Sequence, residues 1–218
     1  MLECYNRSMI VSASPAENRF LTAASWDEYN RYLEAVGDRR IRITYDGTMV
    51  ELMTPSHRHE YLKTMVQHLL VCFMEESEID FIPGGNTTFK QALLNKGLEP
   101  DDCYWIGSWR EVLGGWNAST GPPPDLAIEV EVTRSALDRL SIYAALGVPE
   151  LCLVREDGQV SAWQLGDGKY QARSHSLSLP GLPLALLNDS LSRAGELSAM
   201  RLLKAFRQAV RQLPEVRD

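Results

Sequence analysis

The stretch Pro122–Thr133, PPPDLAIEVEVT, decides the fold: it reads as a strand apolar enough to be buried, yet it seats three carboxylates at even spacing. Successive side chains of a strand point to opposite faces, so Leu126, Ile128, Val130 and Val132 share one face, and Asp125, Ala127, Glu129 and Glu131 share the other. One face is core and the other is acidic. A half-exposed strand of an antiparallel sheet would simply show these charges to water. Against that, Glu129 and Glu131 stand only about 6.6 Å apart at roughly 3.3 Å per residue, with no Lys or Arg mixed between them. Like charges that close repel and raise one pKa unless a cation neutralises them. Mg²⁺ suits such a site, because it takes oxygen ligands and is often held by one or two carboxylates. Asp125 lies about 13 Å from Glu129 by the same rise, too far for easy sharing of one ion.

Outward from this strand the chain alternates between the two periods. Towards the C-terminus, Ala136 to Leu146 reads as a helix stopped by Gly147, and PELCLVRE returns as a strand, so the acidic strand opens a strand–helix–strand unit. Towards the N-terminus, EPDDCYWI is a short strand and IDFIPGGNTTFKQALL a strand interrupted at Gly84-Gly85. HRHEYLKTMVQHLLVCFMEE has helical length, with Tyr61, Leu62, Met65, Leu69, Cys72 and Phe73 on one face. Asp46-Gly47, Asp157-Gly158 and Asp167-Gly168 are hairpin turns between alternating runs. SWDEYNRYLEAVGD carries a capping box at Ser25 and Glu28 and a stop at Gly37. Glu196 to Leu213 predicts a last helix, with Leu202, Leu203, Phe206, Val210 and Leu213 on one side and Arg201, Lys204, Arg207 and Arg211 on the other. GWNASTGPPP reads as a loop too short to link domains. The expected organisation is a loose segment over 1–20, a domain over 21–190, and a C-terminal helix within 191–218 packed on it.

Composition narrows the function. The 218 residues, 44% hydrophobic and 23% charged, suit a soluble globular protein with a sizeable core. A net charge of −7 argues against gripping nucleic acid over the whole surface, though a nuclease with an acidic metal site needs only a local basic face. Cys4, Cys72, Cys103 and Cys152 show no zinc-like spacing and read as free thiols of a reducing cytosol. No apolar stretch resembles a signal peptide or a membrane span, which predicts a cytoplasmic protein without membrane contact.

The candidate chemistry is a constellation of acids: Glu60 on the first long helix, Asp101 and Asp102 at a strand start, and the Asp125–Glu131 run. One carboxylate from each of three elements is a common way to assemble a divalent site, although each acid alone also reads as solvated helix face or strand-entry polarity. Arg139, on the helix after the acidic strand, shares a side with Ile142, Tyr143 and Leu146. It either snorkels beside this apolar stripe or reaches the acidic strand, where it would stabilise phosphate charge. His57, His59 and His68 fail the HExxH pattern and read as capping or solvent-facing residues. Gly84-Gly85 fits neither the GxGxxG nor the GxxxxGK phosphate loop.

In order, HEYLKTMVQHLL, GGNTTF, GLEPDDCYWI, PPDLAIEVEVT and LDRLSIYAALGVPELCLV resemble the Uma-two family of restriction-endonuclease-like proteins, in the PD-(D/E)xK nuclease superfamily. The resemblance spans roughly Ser25 to Leu165. It implies an α/β (α+β) restriction-endonuclease-like core: a central mixed β-sheet flanked by helices, hairpins at its edges, and the site where the two middle strands diverge. Glu60 matches the helix Glu, Pro100-Asp101 the PD element, and Glu129 the acid of (D/E)xK. Glu131 stands where that motif has lysine, and Arg139 where family members often carry a lysine on the following helix. The implied catalytic set is thus Glu60, Asp101, Glu129, Glu131 and Arg139. Asp101 and Glu129 would hold Mg²⁺ (or Mn²⁺), Glu60 or Glu131 would supplement them, and Arg139 would orient water or phosphate. The implied partner is nucleic acid, in particular DNA, and a homodimer would supply the two sites that cutting a duplex needs. The acidic Glu131 and the arginine at 139 equally suit a nuclease fold that has lost cleavage and serves as a binding module.

Overall fold

The computed structural model describes residues 9–10, 17–37, 39–117 and 120–214. Its elements, in chain order, begin with β1 (Met9–Ile10), β2 (Asn18–Ala23), α1 (Trp26–Val36), β3 (Arg42–Tyr45) and β4 (Met49–Thr54). The long helix α2 (His57–Glu76) and strands β5 (Ile82–Pro83), β6 (Phe89–Gln91), β7 (Lys96–Leu98) and β8 (Asp102–Trp105) follow, then the single turn α3 (Trp109–Val112). The second half holds β9 (Leu126–Glu131), α4 (Arg139–Ala145), β10 (Glu150–Arg155), β11 (Val160–Gly166), β12 (Lys169–Arg173), α5 (Leu184–Ser192) and α6 (Ala199–Val210).

The strands form two sheets. The first runs β1-β2-β4-β3-β7-β6 and is antiparallel throughout; the second runs β12-β11-β10-β9-β8-β5. In the second sheet β9 and β10 are parallel and every other neighbouring pair is antiparallel, which makes it the expected mixed sheet. The parallel pair follows from α4, since two parallel neighbours need a crossover between them. All three Asp-Gly turns close hairpins, with Tyr45 opposite Val50, Val154 opposite Val160 and Gly166 opposite Lys169. At the first, Asp46 Oδ1 accepts from the Thr48 and Met49 amides at 2.9 and 2.8 Å.

The acidic strand lies in the middle of the second sheet, and both of its faces are covered. Leu126, Ile128 and Val130 pack with Leu62, Val66 and Leu69 of α2 and with Leu202, Phe206 and Val210 of α6. Ala127, on the opposite face, lies among Ile142, Tyr143 and Leu146. The alternation therefore separates two cores rather than core from water, and Glu129 is only 8% exposed. Gly84 shows why that glycine interrupts a strand: a Cβ there would fall 2.4 Å from Cys103 Sγ and 2.5 Å from the Trp105 ring.

Two helix starts and two further segments differ from expectation. Helix α4 starts at Arg139 rather than Ala136, because Asp138 caps it by accepting from the Ser141 amide at 3.2 Å. The last helix starts at Ala199 rather than Glu196, with Ser198 at its N-cap. Helix α5 was not anticipated; Pro183 precedes it, and it buries Leu187 and Leu191. Residues 9–10 and 18–20, expected to be loose, pair as β1 and β2. The capping box of α1 forms in both directions, and Gly37 ends that helix at φ 52°. Cys72, Cys103 and Cys152 are free and buried, while Cys4 lies outside the described residues. Among the described residues no helix is long and apolar enough to cross a membrane.

Candidate active site

A cleft of about 970 Å³ opens where β9 and β10 end and α4 begins. Glu129, Glu131, Arg134, Arg139, Tyr143 and Arg155 line it, with residues 133–137 as a wall. This is the C-terminal edge of the parallel pair, the position at which open α/β sheets bind ligands.

That wall is held by a closed ion network. Arg19 Nη1 donates to Glu51 Oε1 at 2.7 Å, and the rest of its guanidinium donates to Thr133 Oγ1 and to the Thr133 carbonyl, each at 2.8 Å. Glu51 in turn accepts from the Ser135 hydroxyl at 2.9 Å and the Ala136 amide at 2.8 Å. The first sheet thereby fixes the segment that connects the acidic strand to α4.

Glu129 sits at the inner end of the cleft. Its Oε1 accepts from both Arg139 Nη2 and the Tyr143 hydroxyl. Arg139 also reaches across to the first sheet, donating to Thr44 Oγ1 at 2.5 Å, and to the Glu99 carbonyl at 3.0 Å. The Arg139 Nε–H, although buried, has no hydrogen-bond partner. Burial pushes the Glu129 carboxyl up, and nearby Asp101 adds to the rise, against the pull of Arg139 and Tyr143. The carboxylate raises Arg139 further, so the guanidinium keeps its proton.

Asp101 lies beneath, 2% exposed and outside the cleft lining. Its Oδ2 accepts from the Val130 amide at 2.8 Å, which ties the start of β8 to the acidic strand. Its Oδ1 accepts from His59 Nε2 at 2.8 Å and stands 3.7 Å from Arg42 Nε. Burial would raise Asp101, but the charge and hydrogen bond of His59 hold it down at about 2. Burial would likewise lower His59; the Asp101 carboxylate, and Glu17 at 3.4 Å from Nδ1, instead raise it to about 9. The two form a buried, charged pair at neutral pH.

Of the residues singled out from sequence, the cleft gathers Glu129, Glu131 and Arg139, with Asp101 below and Glu131 exposed. Glu60, half-buried on α2, does not line it. Its neighbour His59 makes the contact with Asp101, which corrects the reading of His59 as a capping or solvent-facing residue: it is 0% exposed, and Ser56 caps the helix instead. Asp102 turns to the opposite face and accepts from the Tyr104 hydroxyl. Asp125 holds the loop after β8, accepting from the Ile106 and Ser108 amides at 2.7 and 3.1 Å. Tyr143, Arg19, Glu51 and Thr44 were not foreseen as site residues. Only Tyr143 had left a signal, four residues after Arg139 on the same helix side.

Residues 26–194 match the family model described as "Uma2: Putative restriction endonuclease". Among solved structures, the chain is similar to one described as "a putative nuclease belonging to DUF820" from Anabaena variabilis. The identity is 15%, with 84% of this chain and 99% of the other covered at a TM-score of 0.51, a likeness of fold. No curated protein matches. The chain belongs to the Uma2 family of restriction-endonuclease-like proteins.

Proposed function

We propose that this chain is a metal-dependent nuclease that hydrolyses phosphodiester bonds of DNA in the cleft formed by β9, β10 and α4. The observation that carries the reading is the meeting of Glu129 and a protonated Arg139 in that cleft, in a chain of an endonuclease family. The donor set fits a hard divalent cation in kind: Glu129 offers oxygen from β9 and Asp101 from the residue just before the neighbouring β8, and the cleft lining holds no cysteine or histidine. Among the described residues no group of three or more His, Cys, Asp or Glu is arranged to hold a metal ion, so water and phosphate oxygens would complete the shell. Bound Mg²⁺ or Mn²⁺ would supply an acidified water and charge neutralisation at phosphorus.

The chain's own residues supply the rest. Arg139 is too basic to act as a general base and instead holds a phosphate oxygen, where its fork of donors stabilises developing charge. Tyr143 orients Glu129 through its hydroxyl. Glu131, exposed on the same strand, is the open carboxylate able to take a proton from the attacking water. Glu60 remains the more distant candidate, supplementing from α2.

A second reading, DNA binding without cleavage, draws on the engaged state of both acids: Arg139 covers Glu129, and both oxygens of Asp101 accept hydrogen bonds. Supercoiled plasmid, incubated with pure protein and Mg²⁺ or Mn²⁺ beside Glu129→Ala, separates the two. Nicking by the wild type that is lost in the variant supports the nuclease; duplex binding without nicking supports the second reading. Linear product formed together with nicked circle would support a homodimer acting on both strands.

A further inference from the structure

We infer that Arg139 is a gate operated by the substrate: a phosphate oxygen entering the cleft draws the guanidinium off Glu129, and only then is the carboxylate free for a divalent cation. The inference rests on the nuclease reading and adds an order of events to it.

Three observations carry it. Glu129, 8% exposed, already accepts two donors at its Oε1, Arg139 Nη2 and the Tyr143 hydroxyl. Arg139 and Tyr143 both hold Oε1, and a metal ion brought to the other oxygen of that carboxylate would still have the guanidinium across a single carboxylate in a buried site, where like charges repel. Asp101 offers no easier entry, because its oxygens accept from His59 and from the Val130 amide. Free of substrate, the site neutralises itself.

The third observation concerns what Arg139 leaves unused. Its Nη1 and Nη2 are committed to Thr44, the Glu99 carbonyl and Glu129, but its Nε–H is buried and unpartnered. An orphan donor of this kind is costly and calls for an acceptor. Arg139 also lines the cleft, and its side chain keeps 16% of its surface exposed, so an acceptor arriving from solvent can meet the guanidinium and reach the buried Nε–H once the side chain turns. A phosphate presents two oxygens to a guanidinium edge, which matches Nε–H together with one Nη–H. Binding that way exchanges the contact with Glu129 for one with phosphate, and leaves the carboxylate without its cationic partner at the cleft. By contrast, Arg19 has all three of its nitrogens engaged and has no such freedom.

Two measurements test the gate, and neither reads turnover. First, Mn²⁺ is titrated against DNA-free protein by electron paramagnetic resonance, with Arg139→Gln and Arg139→Met alongside, their folding checked by circular dichroism. Wild type is expected to bind Mn²⁺ at least about tenfold more weakly than a folded variant, a coupling of ordinary size. Second, affinity for a short DNA duplex is measured by fluorescence anisotropy with and without Ca²⁺, on wild type and Glu129→Gln. Because coupling is reciprocal, Ca²⁺ should tighten duplex binding by wild type about tenfold and leave Glu129→Gln unchanged. This second arm needs no Arg139 variant. Mn²⁺ binding by DNA-free wild type as tight as by the variants overturns the gate, as does a duplex affinity indifferent to Ca²⁺. In either case, plasmid nicking by the wild type leaves the nuclease reading standing. Absence of both nicking and duplex binding would remove the reading itself.

Discussion

Two buried arginine–glutamate pairs flank the same loop and differ in one respect, closure. Arg19–Glu51 is 4% and 1% exposed by side chain, and every nitrogen of Arg19 has a partner. Arg139–Glu129 is 16% and 11% exposed, lines the cleft, and leaves Nε–H orphaned. Identical chemistry is spent in the first case on holding a wall and in the second on a site that still has something to bind. A buried ion pair is by itself weak evidence for stability. What separates a strut from a functional pair is whether its hydrogen-bonding capacity is used up.

The largest expected effect falls on the closed pair. Glu51→Ala takes from Arg19 its closer carboxylate, leaving Glu17 at 3.6 Å as its ionic partner, and strips the Ser135 hydroxyl and the Ala136 amide of their acceptor, and so should cost about 3 kcal/mol of stability in urea unfolding. Glu129→Ala should cost clearly less, because Arg139 retains Thr44 and the Glu99 carbonyl and can turn to water in the cleft. Equal losses in the two variants would abolish the distinction between strut and site.

The open pair was legible in the sequence and the closed one was not, for a physical reason. Glu129 and Arg139 lie ten residues apart within one strand–helix unit, so strand alternation and helical spacing place them locally. Arg19 and Glu51 belong to different strands, and meet residues 133–136 only through the pairing of the first sheet, which no local period announces. His59 was misread for a similar reason. A histidine in the first turn of a helix looks like a capping residue until Asp101, forty-two residues later in the chain, is brought against it. The even carboxylate spacing of the acidic strand was correctly seen, but alternation reports which residues share a face, not whether that face meets water. Here α4 covers it.

A smaller effect should appear with pH, and it locates charge outside both arginine pairs. His59 has a folded pKa of about 9, above its ordinary 6.5, so its contribution is fully present below about pH 6.5 and is lost as pH rises through 9. Asp101, held at about 2, contributes above about pH 4 and loses that contribution as pH falls through 2. Stability should therefore decline on the alkaline side by on the order of 2 kcal/mol between pH 6.5 and 9.5. Arginine keeps its proton over this range, so neither arginine pair can be the source. Thermal melts of wild type and His59→Gln across that interval give the check: the variant should be less stable at pH 6.5 and nearly flat. An equally steep decline in the variant would place the titrating group elsewhere.

The smallest effect bears most directly on the open pair. Tyr143→Phe removes one of the two donors on Glu129 Oε1 while keeping the ring among Ile142, Leu146 and Ala127, so the loss of stability should be about 1 kcal/mol. Its consequence for function depends on what the hydroxyl does. If it only helps to bury the carboxylate, nicking should be unchanged. If it holds Glu129 in the geometry that a divalent cation requires, nicking should fall about tenfold, with duplex affinity in the absence of metal unaltered. The second outcome is expected, because a carboxylate that also accepts from the buried Tyr143 hydroxyl would keep its orientation on exchange of Arg139 from Glu129 to phosphate.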